Sequence, residues 1–148
     1  MSCGTASIRD GSRGYNLIIV LDSNEYITFL SQKSLFLNGI LKNEKIAIFI
    51  NEIIIKEVLR HIKEVIKKDF YKLLFADNIN VRNEKLPFYL LQKYKGMGLK
   101  KGDIEIAAFC EYVEAEYLIT ENRHFLKSLK FDKFKVVSIK EFLRNLDR

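Results

Sequence analysis

Cysteine and proline are both scarce in this chain, and each scarcity excludes a class of protein. The 148 residues include two cysteines, and these do not form the pattern of a disulfide scaffold. Cys3 lies in a polar stretch, while Cys110 lies in a predicted helix and is interpreted as a small buried hydrophobe in a reducing compartment. With one proline and 48% hydrophobic residues, the chain can bury a core and is not disordered overall.

Long apolar runs are also missing. No stretch approaches the roughly 18 apolar residues that a membrane-spanning helix needs, so we expect no membrane partner. Residues 1–16 are rich in Ser, Gly and Arg and lack an apolar segment, so they are not a secretory signal. We interpret them as a flexible tail, either native or left over from expression. Residues 17–148 are expected to form a single cytoplasmic domain.

Several site motifs are absent as well. The sequence has no paired His/Cys set for zinc and no nucleophile-elbow serine. Gly96-x-Gly98 lacks the remaining glycines and the preceding strand of a phosphate loop. The charge balance of 25 Lys+Arg against 19 Asp+Glu gives +6, which is compatible with a nucleic-acid partner without requiring one.

Strand and helix patterns alternate along the rest of the chain. The apolar run Leu17–Leu21 has no polar alternation, which is typical of a strand buried on both faces. Further strands are predicted at 46–50, 117–120 and 136–137. Helices are predicted at 24–36, 53–67, 70–77, 87–94, from Asp103 onward, at 123–129 and at 139–146, with a polar connector before residue 84. This alternation predicts an α/β fold with a mainly parallel sheet and helices on both faces.

Asp22 stands directly after the first predicted strand. Open α/β folds bind ligands at the carboxyl edge of the sheet, where this carboxylate would lie. Taken alone, Asp22 can equally be the cap of the following helix, because Asp is favoured there. Ser23 and Asn24 can serve as caps too, so the carboxylate itself is not needed for capping.

Two other acidic residues lie near strand-to-helix junctions. Glu57 borders the apolar stripe of its helix, although it can also be an exposed residue paired with a neighbouring base, and Glu52 competes for the same role. Asp103 opens a helix whose Ala107 and Ala108 allow close packing on the sheet, although it too can be a cap. Close packing would bring Asp103 near the end of the first strand.

The three carboxylates together are stronger evidence for a binding site than any one of them alone. Converging carboxylates repel each other unless a cation lies between them. Mg²⁺ and Mn²⁺ prefer oxygen ligands and keep several waters, so two or three carboxylates are enough to hold one. The sequence therefore predicts a divalent-metal site at the carboxyl edge of the sheet.

Four segments in this order resemble the PIN-domain nucleases, which include the VapC-type toxins of prokaryotic toxin–antitoxin pairs. The resemblance covers residues 17–146. Its segments are Leu21-Asp22-Ser23-Asn24, Ile55-Lys56-Glu57-Val58-Leu59, Gly102-Asp103-Ile104-Glu105-Ile106-Ala107-Ala108 and Leu118-Ile119-Thr120-Glu121-Asn122-Arg123-His124-Phe125. The resemblance implies a three-layer α/β/α sandwich with a PIN-like central sheet, and a metal-dependent ribonuclease.

The resemblance also implies roles for individual residues. Asp22, Glu57 and Asp103 would bind the metal. Many members carry a fourth acid, usually Asp, two residues after the threonine, and Asn122 stands there with Glu121 before it. Asn122 would complete the catalytic set. Because it adds no negative charge, the sequence leaves open whether the site binds one metal ion or two. We expect three further residues to orient the metal ligands or the scissile phosphate: Asn24, Thr120 and Glu121.

Our hypothesis from the sequence is hydrolysis of RNA phosphodiester bonds with Mg²⁺ or Mn²⁺. A set of basic residues flanks the last two acidic segments: Lys100, Lys101, Arg123, His124 and Lys127. We expect these residues to bind the RNA backbone. The alternative is that they form an ordinary solvated surface. An antitoxin partner and a homodimer are also expected.

Two other functions are compatible with the sequence. A binding protein on the same fold could have lost nuclease activity, and Asn122 supports that alternative. A phosphoacceptor signalling domain also places Asp at strand ends, but it normally shows a pair of acids after the first strand, where this chain has Asp22-Ser23.

Overall fold

The centre of the molecule is one parallel sheet. A computed structural model describes residues 17–32, 36–127 and 131–146. Its strands are β1 (Leu17–Leu21), β2 (Ile46–Ile50), β3 (Ile79–Val81), β4 (Tyr117–Ile119) and β5 (Lys135–Val137). They run in the order β3-β2-β1-β4-β5, and every pairing is parallel. The predicted α/β class with a parallel central sheet is therefore confirmed.

The helices connect the strands. Within the described ranges they are α1 (Ser23–Gln32), α2 (Phe36–Leu41), α3 (Glu52–His61), α4 (Glu64–Leu73), α5 (Phe88–Gly96), α6 (Lys101–Tyr112), α7 (Arg123–Lys127) and α8 (Ile139–Leu146). None of the helices in this part of the chain has the length and apolar character needed to cross a membrane. Ser138 caps α8, since the Glu141 backbone N–H donates to its hydroxyl at 3.1 Å.

The position of β1 explains why its sequence is continuously apolar. β1 pairs with β2 on one side and with β4 on the other, and Ile19, Val20 and Leu21 have no exposed surface. The chain leaves β1 toward β2 on one side and reaches β4 on the other only later, so the strand order reverses at β1. Such a reversal opens a crevice at the carboxyl end of the strand, which is where Asp22 follows.

The helix predicted over 53–67 is wrong, because α3 ends at His61 and α4 begins at Glu64. Ile62 and Lys63 between them have extended backbone. A helix over the whole predicted span would be about 22 Å long, whereas the five-residue strand β2 spans about 17 Å. The chain therefore turns at the edge of the sheet. Val65, inside the predicted helical span, is 80% exposed.

Three neighbouring predictions also need correction. The separate helix predicted over 70–77 does not exist, because those residues continue or follow α4. The polar connector contains β3, an edge strand paired with β2 alone. The helix predicted over 24–36 ends at Gln32, and α2, which was not predicted, begins at Phe36. Residues 33–35 lie outside the described ranges.

Tyr26 on α1 is fully buried against Phe70, with ring centroids 6.0 Å apart. Within the described ranges its hydroxyl has no hydrogen-bond partner. Because an unsatisfied buried hydroxyl destabilises the fold, we expect Tyr26→Phe to raise the free energy of unfolding by about 1 kcal/mol. Urea unfolding measures this change.

The matched control for this substitution is Tyr94→Phe. Tyr94 is equally buried, but its hydroxyl donates to the Glu111 carboxylate at 2.6 Å. Losing a hydrogen bond to a charged group is expected to lower the free energy of unfolding by about 1.5 kcal/mol. Equal losses in the two variants would show that the Tyr26 hydroxyl is satisfied in solution.

Candidate metal centre

Asp22 is held rigidly at the carboxyl end of β1. Asp22 is buried, with 7% of its surface exposed. Oδ1 accepts a hydrogen bond from the Ser23 backbone N–H at 2.8 Å, and Oδ2 accepts one from the Thr120 hydroxyl at 2.7 Å. Each carboxylate oxygen can accept a further bond, so Asp22 keeps the capacity to bind a cation in a fixed orientation.

Thr120 follows β4 and is fully buried. Its hydroxyl donates to Asp22 and accepts from the Asn122 backbone N–H at 3.0 Å. The Asn122 side-chain oxygen in turn accepts from the His124 backbone N–H at 2.9 Å, at the first turn of α7. Thr120 therefore positions Asp22, whereas the Asn122 carboxamide oxygen is used to cap a helix.

Asp103 lies in the first turn of α6 and is half-buried. Burial raises its pKa, and the negative charge of Asp22 raises it further. Ala107 and Ala108, one turn further along α6, are completely buried, which agrees with close packing of this helix. The structure thus brings Asp22 and Asp103 near enough to repel each other.

Glu57 does not join these two acids in the structure. Its Oε1 lies 3.0 Å from Arg60 Nη1, and its Oε2 lies 3.3 Å from His61 Nδ1, all on the last two turns of α3. Within the described ranges, no three acidic, His or Cys side chains are placed so that they could hold a metal ion together. The expected group of Asp22, Glu57 and Asp103 is therefore not assembled, and Glu57 is instead paired with basic neighbours on its own helix.

The role of Glu57 as a metal ligand stays a prediction. The side chains of Arg60 and His61 are 67% and 50% exposed. Exposed ion pairs of this kind contribute about 0–1 kcal/mol. Glu57 can consequently leave them at little cost, and Glu52, its competitor, is exposed and paired with Lys56 at 3.0 Å.

Sequence reasoning missed Glu25, which lies in the first turn of α1. Glu25 is 9% exposed. Burial raises the pKa of its carboxyl from 4.5 to about 7, and the charges of Glu121 and Asp22 contribute to this rise. The available signal was spacing, since residues three apart on a helix are neighbours and Glu25 follows Asp22 by three.

Asn24 and Glu121, which were expected to orient ligands together with Thr120, are exposed, whereas Thr120 is buried. Asn24 is exposed on α1. Glu121 is exposed, and its Oε2 accepts a hydrogen bond from the Ile139 backbone N–H at 3.2 Å. Only Thr120, among the three, has a hydrogen bond with Asp22 in the described part of the chain.

The basic residues fall into two groups around the acids. His124 and Lys100 are exposed, and their charges lower the pKa of Asp103, so they flank it. Lys101 and Arg123 are also exposed, and Lys101 lines a groove of about 510 Å³ between α5, α6 and the start of α3. The side chain of Lys127 lies outside the described residues.

The pair of Asp22 and Asp103 fits a hard divalent cation. Both supply carboxylate oxygens, and their mutual repulsion would become attraction to a cation shared between them. Mg²⁺ in proteins is commonly held by one or two carboxylates together with waters. The absence of a three-residue group in the described structure is therefore compatible with such an ion.

Comparison with known proteins supports the fold. No family profile matches this sequence, and no curated protein matches it. Among solved structures, one chain of the crystal structure of VapBC2 from Rickettsia felis, bound to a DNA fragment from their promoter, matches with a TM-score of 0.62 and 17% identity. The match covers 81% of this chain and 97% of that chain. At this identity the likeness shows the fold, and the PIN-like fold implied by the four segments is confirmed.

Proposed function

We propose that this protein is a metal-dependent endoribonuclease that hydrolyses RNA phosphodiester bonds. The observation that carries the proposal is the placement of Asp22. It is buried at the reversal point of a parallel sheet, is fixed by Thr120 at 2.7 Å, and lies close enough to Asp103 to raise its pKa. Two mutually repelling carboxylates at this position provide a binding site for Mg²⁺ or Mn²⁺.

The residues of the chain would divide the work as follows. Asp22 and Asp103 would hold the ion, and Glu57 would join them after leaving Arg60 and His61. A bound divalent ion lowers the pKa of a water and neutralises charge developing on the phosphate. Thr120 and the Ser23 N–H keep Asp22 from rotating, which preserves the ligand geometry.

The exposed cations would position the RNA. Lys100 and His124 flank Asp103, so a phosphodiester in contact with them would lie beside the two carboxylates. Lys101 and Arg123 would extend this contact along the strand. Binding through phosphates is expected to weaken with salt, with a log–log slope of about −0.7 per contact on single strands.

An antitoxin partner is part of the proposal. The structurally similar protein is described as VapBC2 bound to promoter DNA. By analogy, we propose that this chain acts as a cytoplasmic toxin, forms a homodimer and is inhibited by a protein that covers the acidic pocket. An arginine from that protein would pair with Asp22 and Asp103, because it would replace the cation between them.

A second candidate function is RNA binding without cleavage. Two observations favour it: the Asn122 oxygen caps α7, and the Glu57 carboxylate is bound by Arg60 and His61. Both reduce the number of negative ligands for a metal. Such a protein would bind RNA with equal affinity in the presence and in the absence of a divalent ion.

Removal and return of the metal test the proposal. Purified protein stripped with EDTA is incubated with end-labelled single-stranded RNA, with and without excess Mn²⁺. We expect Mn²⁺ to raise the rate at least about 100-fold, because ion-assisted stabilisation of several kcal/mol is lost without it. The metal-free protein should retain its fold, as followed by circular dichroism.

Each other outcome of this assay has a clear meaning. RNA binding without cleavage under both conditions would support the second candidate function and overturn the first. Cleavage that persists in excess chelator would show a metal-independent activity or a contaminant. A protein that neither binds nor cleaves RNA would overturn both candidates.

A further inference from the structure

The groove of about 510 Å³ lies next to the candidate metal centre. Asn51, which lines the groove, directly follows β2, and Asp22 directly follows the neighbouring strand β1. β1 and β2 pair with Val20 opposite Phe49. Continuing this register by two residues sets Asp22 beside Asn51, at a strand separation of about 4.8 Å. The groove therefore starts one strand away from the carboxylate proposed as a metal ligand.

Asn51 presents a hydrogen-bond donor to the groove. The residue is buried, with 6% of its surface exposed. Its Oδ1 accepts from the Ile54 backbone N–H at 3.0 Å and so caps α3. In the described part of the chain its Nδ2 donates to no protein atom, and it is not among the fully enclosed polar atoms that lack a partner. The amide N–H₂ is therefore open to the groove and available to an acceptor on a ligand.

The walls of the groove are largely apolar. Leu86, Leu91 and Ile104 line it, are half-buried and pack against the hydrophobic core, so their positions are fixed. Ligand pockets of this size typically combine apolar walls with a few well-placed polar groups. A nucleobase has apolar faces and hydrogen-bond acceptors on its edge, so it matches both the walls and the Asn51 amide.

The rim of the groove carries positive charge. Lys85, Lys95 and Lys101 line the groove and are exposed. Two of the three glutamates that line it, Glu52 and Glu84, are paired with cations. Three lysines therefore face one remaining glutamate, and this balance favours a ligand that carries phosphates.

We propose that the groove binds one nucleotide of a single-stranded RNA, next to the phosphodiester held at the metal centre. The base lies between the apolar walls, with an acceptor on its edge against Asn51 Nδ2, and the flanking phosphates contact Lys95 and Lys101. Bases of single strands are free to enter such a groove, whereas bases in a duplex are stacked and paired. This subsite rests on the RNA-directed function proposed above and would make it selective for single strands.

RNA binding in EDTA tests the subsite without cleavage. Fluorescence anisotropy follows two labelled probes of equal charge: a single-stranded RNA decamer that contains all four bases, and a ribose-phosphate decamer that lacks bases. We expect the wild type to bind the RNA decamer about tenfold more tightly, because only this probe places a base in the groove.

Two substitutions of Asn51 remove the donor and keep the helix cap. Asn51→Ser retains an oxygen that can cap α3. It should weaken binding of the RNA decamer about fivefold to tenfold and leave binding of the base-free decamer unchanged. Asn51→Asp also keeps the cap, and it should weaken binding of the RNA decamer further because its charge repels phosphate. Circular dichroism checks the fold of both variants.

The phosphate contacts are tested separately. Lys95→Ala should weaken binding of both decamers equally and lower the log–log salt slope by about 0.7. Lys42→Ala is the matched control, because Lys42 is exposed before β2, at the opposite edge of the sheet. It should bind both decamers as the wild type does.

Three results would overturn the subsite. In the first, folded Asn51→Ser and Asn51→Asp bind both decamers as the wild type does. In the second, the wild type binds the two decamers equally, so that it recognises phosphates alone. In the third, it binds neither. The nuclease proposal is judged separately by Mn²⁺-dependent cleavage. The expected binding pattern without such cleavage would support the subsite and overturn the nuclease.

Discussion

Asp22→Asn is expected to lower kcat/KM for Mn²⁺-dependent RNA cleavage about 10³-fold, because a metal ligand that contributes about 4 kcal/mol is lost. Asparagine keeps the shape of the side chain and one oxygen that can accept from Ser23 or Thr120. The negative charge that faces Asp103 disappears, so a cation between the two residues loses half of its neutralising charge. The fold should survive, since removing one of two repelling carboxylates relieves strain in the metal-free protein.

Steady-state cleavage of a labelled single-stranded RNA measures this effect at saturating Mn²⁺. Thr120→Val is the informative comparison, because it removes only the hydroxyl that donates to Asp22 at 2.7 Å. Loss of such a positioning bond is expected to cost about 10–100-fold in metal affinity or activity. Glu44→Gln should match the wild type. Wild-type activity in Asp22→Asn would remove Asp22 from the site and with it the proposed nuclease.

The parts of this molecule that could be predicted from sequence are those determined by local pattern. The continuous apolar run of β1 indicated a strand covered on both faces, and β1 is central in the sheet. The acid that follows it therefore had to lie at the carboxyl edge. Ala107 and Ala108 indicated close packing of α6, and both are completely buried.

The parts that could not be predicted depend on contacts between distant residues. β3 is an edge strand with Asn80 at its centre, so its sequence resembles a connector, and only pairing with β2 makes it a strand. α3 ends at His61 with no proline or glycine there, and the extended backbone at Ile62 and Lys63 separates it from α4. Pattern alone could place neither element.

The acidic residues show the same division. Glu57 has the sequence context of a site residue, yet Arg60 and His61 one turn later compete for its carboxylate. Glu25 has an unremarkable context between Asn24 and Tyr26. Only tertiary packing buries it and brings the charge of Glu121, far along the chain, close enough to raise its pKa. The site therefore contains an acid that spacing hinted at but that only the tertiary structure identifies.

Glu25→Gln is expected to stabilise the metal-free protein by about 2 kcal/mol at pH 8 and by less than about 1 kcal/mol at pH 5. The pKa of Glu25 is raised from 4.5 to about 7 in the folded protein. An acid whose folded pKa lies above its unfolded value binds its proton more tightly when folded. Its contribution to stability is therefore complete below pH 4.5 and is lost as the pH rises toward 7.

The size of the effect follows from the same shift. At 1.36 kcal/mol per pKa unit the upper limit is about 3 kcal/mol, and we expect about 2 because some water still reaches the carboxyl. Glutamine carries no charge at any pH, so the variant avoids the loss. Urea unfolding in EDTA at pH 5 and at pH 8 measures the difference between variant and wild type at each pH.

Glu44→Gln is the control for this experiment, and its difference from the wild type should be near zero at both pH values because Glu44 is exposed. Adding Mn²⁺ at pH 8 should stabilise the wild type more than Glu25→Gln, since a cation offsets the repulsion that the substitution has already removed. An identical stability for Glu25→Gln and wild type at pH 8 in EDTA would show that the Glu25 carboxyl is solvated or paired. The repulsion among Asp22, Glu25 and Glu121 would then not exist in solution.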